Sequence, residues 1–533
     1  MYDLELSESC FPAQGGRPEY LTSVGDMLRT SVAEHAERTL LKELLDDGSI
    51  GRTWTYSEFL HDAERLARAL STRHAQDARV TLYASNSPEW LVFEYACALA
   101  GITLVTANPA FQARELAYVV EQSESEAIYY VSEFRGNPMI EIVTEVASQV
   151  PAVQHRIEIT DDAAMYKGQN DGELRNPRPD DPAQIQYTSG TTGFPKGAIL
   201  HHQGVVQNAY DGLSRIGIRP GDVVLHHMPL FHCMGCGILG LGAVALGGTI
   251  VLTATYDPDV MVQTIEREKA QFLTGVPTMI QGMIDAALRT GADVSSVNRI
   301  LSGGAMVAPE LCRQAQNVFG ASIQITYGQT EASPIVSMAW HDDSLDDLTQ
   351  TIGQPAPHVE VSIRDTETKA VLPVGEQGEL CVRGYLVMTG YNANPEATAA
   401  AIDAEGWLHT GDLGTMDARG YLKVTGRVKE MIIRGGENLF PAEIENTMLE
   451  HDAIAEVAVV GIPDELLGEQ VACFMRPAGD DRPSDADLKA FARDRISPQK
   501  TPTFWVWVDE WPLTGSGKIR KFQLRDAFVD ERR

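Results

Sequence analysis

Apolar positions follow a helical spacing early in the chain: Leu60, Ala63, Leu66, Ala67 and Leu70 fall on one face. Ser57 stands where a cap would accept a free amide. The period then changes. Residues 80–83 form a short apolar run that reads as a buried strand, Pro88 opens a helix running to Leu99, and residues 101–105 read as the next strand. Strand, helix, strand at this spacing implies a mostly parallel sheet covered on both faces. The same alternation returns between Val223 and Leu301.

Near Pro355 the pattern shifts to short alternating strands at 359–363 and 378–382, which suggests a small antiparallel or β-barrel-like unit. A boundary follows at 426–429, after which the pattern starts afresh. Pro441 opens a helix, strands are expected at 457–462, 471–475 and 504–508, and a helix is expected over 485–496. The expected fold class is therefore α/β, with a large N-terminal domain over 1–428 and a smaller α+β domain over 429–533.

Composition narrows the function. A hydrophobic fraction of 44% with 22% charged residues fits a globular chain of 533 residues, too long for a single core. The balance of 43 basic against 74 acidic side chains, a formal charge of −31, argues against a surface built for nucleic acid or anionic lipid. An anionic substrate must then be held by local devices: a few placed cations, backbone amides or Mg²⁺. Seven scattered cysteines and an acidic start without a basic-then-apolar leader point to a cytoplasmic protein. Residues 233–254 carry no charge, but six glycines interrupt them, so a buried helix, a tight turn and a buried strand are expected rather than a transmembrane segment.

The densest chemistry lies at 187–197, YTSGTTGFPKG. Glycines let a backbone approach closely, and hydroxyls donate to oxygens, which suits a polyphosphate. The segment lacks the GK[ST] ending of a Walker loop, and as composition alone it also fits a solvated turn. Cys233 and Cys236, beside His232, have the spacing of a redox or zinc pair, yet no second pair accompanies them. The histidine pairs His201–His202 and His226–His227 read as helix-start and loop residues.

Taken in order, TSGTTGFPKG at 188–197, YGQTE at 327–331, GWLHTGD at 406–412, GR at 426–427, RGGEN at 434–438 and LTGSGK at 513–518 resemble the motifs of the adenylate-forming superfamily. That superfamily holds acyl-CoA synthetases, aryl-CoA ligases, adenylation domains and luciferases, and the chain is most similar to fatty-acyl-CoA or aryl-CoA ligases. The N-terminal segments 108–111 and 115–118 are similar to the family as well.

The resemblance implies an enzyme that forms an acyl-adenylate from ATP and a carboxylic acid, releases pyrophosphate, and passes the acyl group to CoA. Thr188, Ser189, Gly190, Thr191, Thr192, Gly193 and Lys196 would wrap the phosphates, and Glu331 would hold Mg²⁺. Thr330 would bind the α-phosphate, Tyr327 and Gly328 would meet adenine over Gly303, Gly304 and Ala305, and Asp412 with Arg427 would grip the ribose. Lys518 would be the catalytic lysine, Lys429 the hinge of a mobile C-terminal domain, and Arg434, Gly435, Gly436, Glu437 and Asn438 the CoA tunnel. His232 would approach the carboxylate, with Cys233, Met234, Cys236, Gly275, Val276, Ser333, Pro334 and Ile335 lining the acyl pocket. Relatives that activate amino acids place an Asp near His232, so a medium-chain fatty acid or compact aryl acid is expected instead. A ligase that loads a phosphopantetheinyl carrier protein stays open as an alternative acceptor, and a homodimer is compatible with this reading.

Overall fold

The computed structural model describes residues 1–533 apart from 16–18, 189–194, 305–306, 436, 465, 480, 514–518 and 533. The chain divides into two compact units. The first comprises Met1–Asp3, Phe11–Val361 and Val382–His409; the second comprises Leu4–Cys10, Ser362–Cys381 and Thr410–Arg533. This division differs from a single cut after residue 428, because it assigns residues 410–428 to the second unit.

Two large sheets organise the first unit. One has seven strands, with Arg79–Tyr83 and Thr103–Ala107 parallel neighbours, as the strand–helix–strand pattern requires. The intervening helix is Pro88–Leu99, with proline in its first turn and Ser87 Oγ accepting from the Trp90 amide. The preceding helix, Tyr56–Arg73, is capped two residues earlier than expected. Thr55, not Ser57, accepts from Glu58, and the Glu58 carboxylate accepts from the Thr55 amide in return.

The second sheet has nine strands. Its middle runs in the order Ile323–Gly328, Arg299–Gly303, Phe272–Gly275, Val223–His226 and Thr249–Thr253, all parallel. Such strands are buried on both faces, so they read as continuous apolar runs. Residues 233–254 form a π-helix, Met234–Leu241, then a short helix, Gly242–Ala245, a turn and the strand Thr249–Thr253. Among the described residues no helix is long and apolar enough to cross a membrane. His201 caps the helix His202–Ile216; His226 ends a strand, contrary to the loop reading, while His227 follows it in the loop, and both are buried.

The second unit contains most of a five-stranded sheet, including the antiparallel pair Leu408–Met416 and Leu422–Arg427. It continues with the helix Pro441–Leu449, the long hairpin Ile454–Asp464 and Gly468–Pro477, the helix Asp485–Arg493 and the strand Phe504–Trp507. A terminal helix, Lys521–Glu531, had no expectation behind it. The unit has two apolar clusters, one around Ile444, Met448 and Leu488, the other around Phe474, Trp511 and, from the terminal helix, Leu524.

Candidate functional site

Strands Pro182–Thr188 and Lys196–His201 pair antiparallel, with Tyr187 opposite Gly197 and Thr188 opposite Lys196. Thr188 and Lys196 thus stand opposite each other at the two ends of the hydroxyl-rich segment. Ser189, Gly190, Thr191, Thr192 and Gly193 lie outside the described residues, as do Ala305, Gly436 and Lys518. At the rim, Thr188 Oγ1 donates to the Lys196 carbonyl at 3.4 Å, and Lys196 Nζ stands 4.8 Å from the centroid of the Tyr391 ring.

The next motif is held by backbone geometry. A Cβ on Gly328 would lie 1.8 Å from the Pro334 carbonyl oxygen, so only glycine fits there. That oxygen accepts the Gln329 amide at 3.0 Å, and Ser333 takes a left-handed φ of 63°. The chain therefore doubles back through the single turn Thr330–Ala332 into the strand Ile335–Met338. Asn208 clamps the exit, accepting from the Ile335 amide at 2.8 Å and donating to its carbonyl at 2.7 Å.

Thr330 and Glu331 project from this turn. Glu331 is buried, and its Oε1 accepts from the Tyr391 hydroxyl at 2.8 Å. Burial, and then the Glu331 charge, push the Tyr391 hydroxyl far above its ordinary range, so it stays a donor. Thr330 Oγ1 lies 3.7 Å from Cys233 Sγ, while His232 Nδ1 accepts from the Met234 amide at 3.3 Å. The turn expected at the α-phosphate and the segment expected at the carboxylate therefore touch. Gly303 and Tyr327 stand at the carboxyl ends of adjacent parallel strands, where ligands of open α/β sheets bind. A Cβ on Gly303 would meet the Thr326 carbonyl at 2.8 Å, and Gly304 has a φ of 79°.

On the acyl side, Met234 and Cys236 lie on the π-helix, an element that often marks functional sites. Cys236 Sγ contacts Gln186 Nε2 at 3.2 Å, and burial pushes the thiol far up, which suits a structural group rather than a zinc or redox pair. Gly237 is buried, yet a Cβ there would have no heavy atom within 4 Å among the described residues. Space therefore opens beside it. Gly275 ends the strand Phe272–Gly275, and Val276 caps the helix Pro277–Thr290. Ser333, Pro334 and Ile335 form the return from the Thr330 turn.

In the second unit Asp412 and Arg427 are cross-strand partners, with Arg427 Nε 2.9 Å from Asp412 Oδ1. Asp412 is 5% exposed, whereas the Arg427 side chain is 48% exposed, so the carboxylate is the fixed member. Lys429 sits in the turn Val428–Glu430, beside an ion triad in which Lys521 Nζ reaches Glu430 and Glu445, each at 2.9 Å. Arg434 and Gly435 enter a tight hairpin with the strand Glu437–Leu439, which carries Glu437 and Asn438. Arg434 Nη1 donates to the Gln499 carbonyl at 2.6 Å, and Gly435 takes a φ of 61°.

Tyr391 is the residue the linear pattern missed. It stands 60 positions from Glu331, inside a stretch whose glycine and asparagines read only as a turn.

The chain matches the AMP-binding enzyme family over residues 28–392 and the AMP-binding enzyme C-terminal domain over residues 443–518. It is 32% identical to the mitochondrial medium-chain acyl-CoA ligase ACSF2 of Danio rerio, over 98% of this chain and 91% of that one. Among solved structures, ATP-bound MatB from Rhodopseudomonas palustris superposes with a TM-score of 0.86 at 25% identity, covering 96% and 99% of the two chains. The o-succinylbenzoate CoA synthetase MenE of Bacillus subtilis, in complex with its acyl-adenylate, gives 0.82 at 27% identity over 94% and 98%.

Proposed function

The chain belongs to the AMP-binding enzyme family and is an AMP-forming acid–thiol ligase; from that premise we propose that it activates a medium-chain fatty acid or a compact aryl acid and passes the acyl group to CoA. The observation that carries this reading is the contact between Cys233 and Thr330. A carboxylate held at His232 and an α-phosphate held at Thr330 would stand against each other, as attack on phosphorus requires.

The roles divide by chemistry. The segment from Thr188 to Lys196 holds the β- and γ-phosphates, Tyr327 covers adenine, and Asp412 with Arg427 takes the ribose. Glu331 fits a hard cation: Oε1 is occupied by Tyr391, and Oε2 accepts no hydrogen bond among the described residues. Mg²⁺ bound there would offset the charge of the phosphates. Lys518 stabilises charge on the oxygens in flight, and its removal costs about 10²–10³ in rate. The hinge at Lys429 then lets residues 429–533 turn, bringing the Arg434–Asn438 hairpin to the pantetheine arm. Open space beside Gly237 and the absence of a carboxylate near His232 in sequence support a neutral acyl group. The relative from Danio rerio is named for medium-chain acids, in keeping with this choice. It is also named mitochondrial; the scattered, odd-numbered cysteines of this chain support a reducing compartment such as the cytoplasm.

The test is pyrophosphate release over a panel of acids with Mg²⁺-ATP, with and without CoA. Release that depends on a C6–C12 or aryl acid, followed by CoA-dependent thioester formation, is the expected result. Adenylate that forms but goes only to a phosphopantetheinyl protein would overturn the CoA assignment, and no AMP from any acid would overturn the whole reading.

A further inference from the structure

Strand Val223–His226 delivers His227 to the carboxyl end of the nine-stranded sheet, beside the ends of Thr249–Thr253 and Phe272–Gly275. Ligands of such sheets sit in the crevice outside these ends. His227 is 5% exposed, and neither Nδ1 nor Nε2 has a hydrogen-bond partner among the described residues. Whichever nitrogen carries the hydrogen, one buried donor and one buried acceptor go unmet. Burial, reinforced by His226, lowers its pKa to about 3, so the ring is neutral near pH 7.

Its described neighbours do not satisfy it. The Tyr256 ring lies 5.1 Å away between centroids, but the Tyr256 hydroxyl donates to the Met279 carbonyl at 2.6 Å. The Gly275 carbonyl accepts from Ser302 Oγ at 3.0 Å. A Cβ on Gly275 would stand 3.0 Å from Met279 Cβ and 3.7 Å from His227 Nε2, so the imidazole packs close against that bare glycine. His226 differs at one nitrogen: its Nε2 contacts the Gly235 carbonyl at 3.0 Å, while its Nδ1 has no partner among the described residues. Buried polar groups without partners are rare enough in folded proteins that each calls for an explanation.

Position identifies which part of a substrate could supply the partner. The strand carrying Tyr327, assigned to adenine, lies three strand spacings from the strand before His227 in the sheet order, or about 14 Å. Gly275, assigned to the acyl pocket, is adjacent. We infer that His227 is a specificity-determining residue whose neutral imidazole hydrogen-bonds an oxygen carried by the acyl group, so that the preferred acid bears a hydroxyl, oxo or phenolic oxygen. The inference rests on the acid-activating reading above and narrows its substrate class.

The experiment compares kcat/KM for pyrophosphate release between octanoic acid and its hydroxy and oxo derivatives, and between benzoic and hydroxybenzoic acids. Pockets built to hydrogen-bond a substrate hydroxyl reject the analogue lacking it strongly, so the native protein should favour one oxygenated acid by about tenfold or more. His227→Leu should collapse that ratio by at least about tenfold, and His227→Gln, which keeps a donor and an acceptor, should retain most of it. His227→Met serves if the leucine variant does not fold. A native preference for the plain acid in every pair, or a ratio that the apolar variants leave unchanged, overturns the inference while leaving acid activation standing. No AMP from any acid overturns both.

Discussion

Removing the Tyr391 hydroxyl isolates the proposed cation site from the rest of the nucleotide pocket. In the native protein Tyr391 donates to Glu331 Oε1 at 2.8 Å, and its ring also backs Lys196 at 4.8 Å. Tyr391→Phe keeps the ring and the cation–π contact and deletes only the donor. A hydrogen bond to a charged group contributes about 1.5–3 kcal/mol, and groups that orient a metal ligand typically account for about 10–100-fold in metal affinity. Tenfold corresponds to about 1.4 kcal/mol, so the two ranges agree. The Mg²⁺ concentration for half-maximal adenylation should therefore rise by about 10–100-fold, while the rate at saturating Mg²⁺ changes little. The assay is acid-dependent pyrophosphate release under a Mg²⁺ titration at fixed ATP, with thermal unfolding as the control for fold. A half-saturation within about twofold of native, in a folded variant, would show that Glu331 does not position the cation.

Other consequences follow from separate features. Gly237→Val fills the space beside the π-helix and should lower kcat/KM by about 1–3 kcal/mol for each methylene beyond a new length limit; an unaltered profile from C4 to C12 would place the acyl tail elsewhere. Lys429→Pro should spare adenylate formation and abolish thioester formation in a two-stage assay, and loss of both half-reactions would count against a hinge there. Burial lowers the pKa of His202 and His226 to about 4 and of His227 to about 3. The unfolded chain binds these protons below about pH 6.5 and the folded chain does not, so stability should fall with acidification by about 1.4 kcal/mol per pH unit for each histidine. Denaturant unfolding between pH 6.5 and 4.5 should show one such increment less of slope in His202→Asn; an identical slope would refute the assignment.

What could be read in the chain was what local geometry demands. The helix Pro88–Leu99 declared both ends, because proline suits a first turn and the apolar run stops at Ala100 and Gly101. The cap of the preceding helix slipped by two residues, from Ser57 to Thr55, since either hydroxyl suits the role and only the Glu58 side chain, three residues after Thr55, decides between them. Gly328 was visible as part of a motif. Its reason, a carbonyl 1.8 Å from where a side chain would begin, belongs to a turn closed by Pro334.

The harder cases are pairings between distant segments. Nothing in the order of residues joins Glu331 to Tyr391, or sets His227 against a bare Gly275, because each contact arises where separate segments meet beyond the ends of a sheet. The histidines show why such residues mislead: a polar pair after a strand reads as the start of a loop, since burying an imidazole without partners opposes folding. His226 resolves half of that cost through the Gly235 carbonyl, its Nδ1 having no partner among the described residues. His227 does not, although it is equally enclosed. A fold with this much parallel sheet can carry such an unmet group because the packing around it over-determines its position. The place where it does so, at the carboxyl edge beside a glycine, is where an incoming acid could satisfy it.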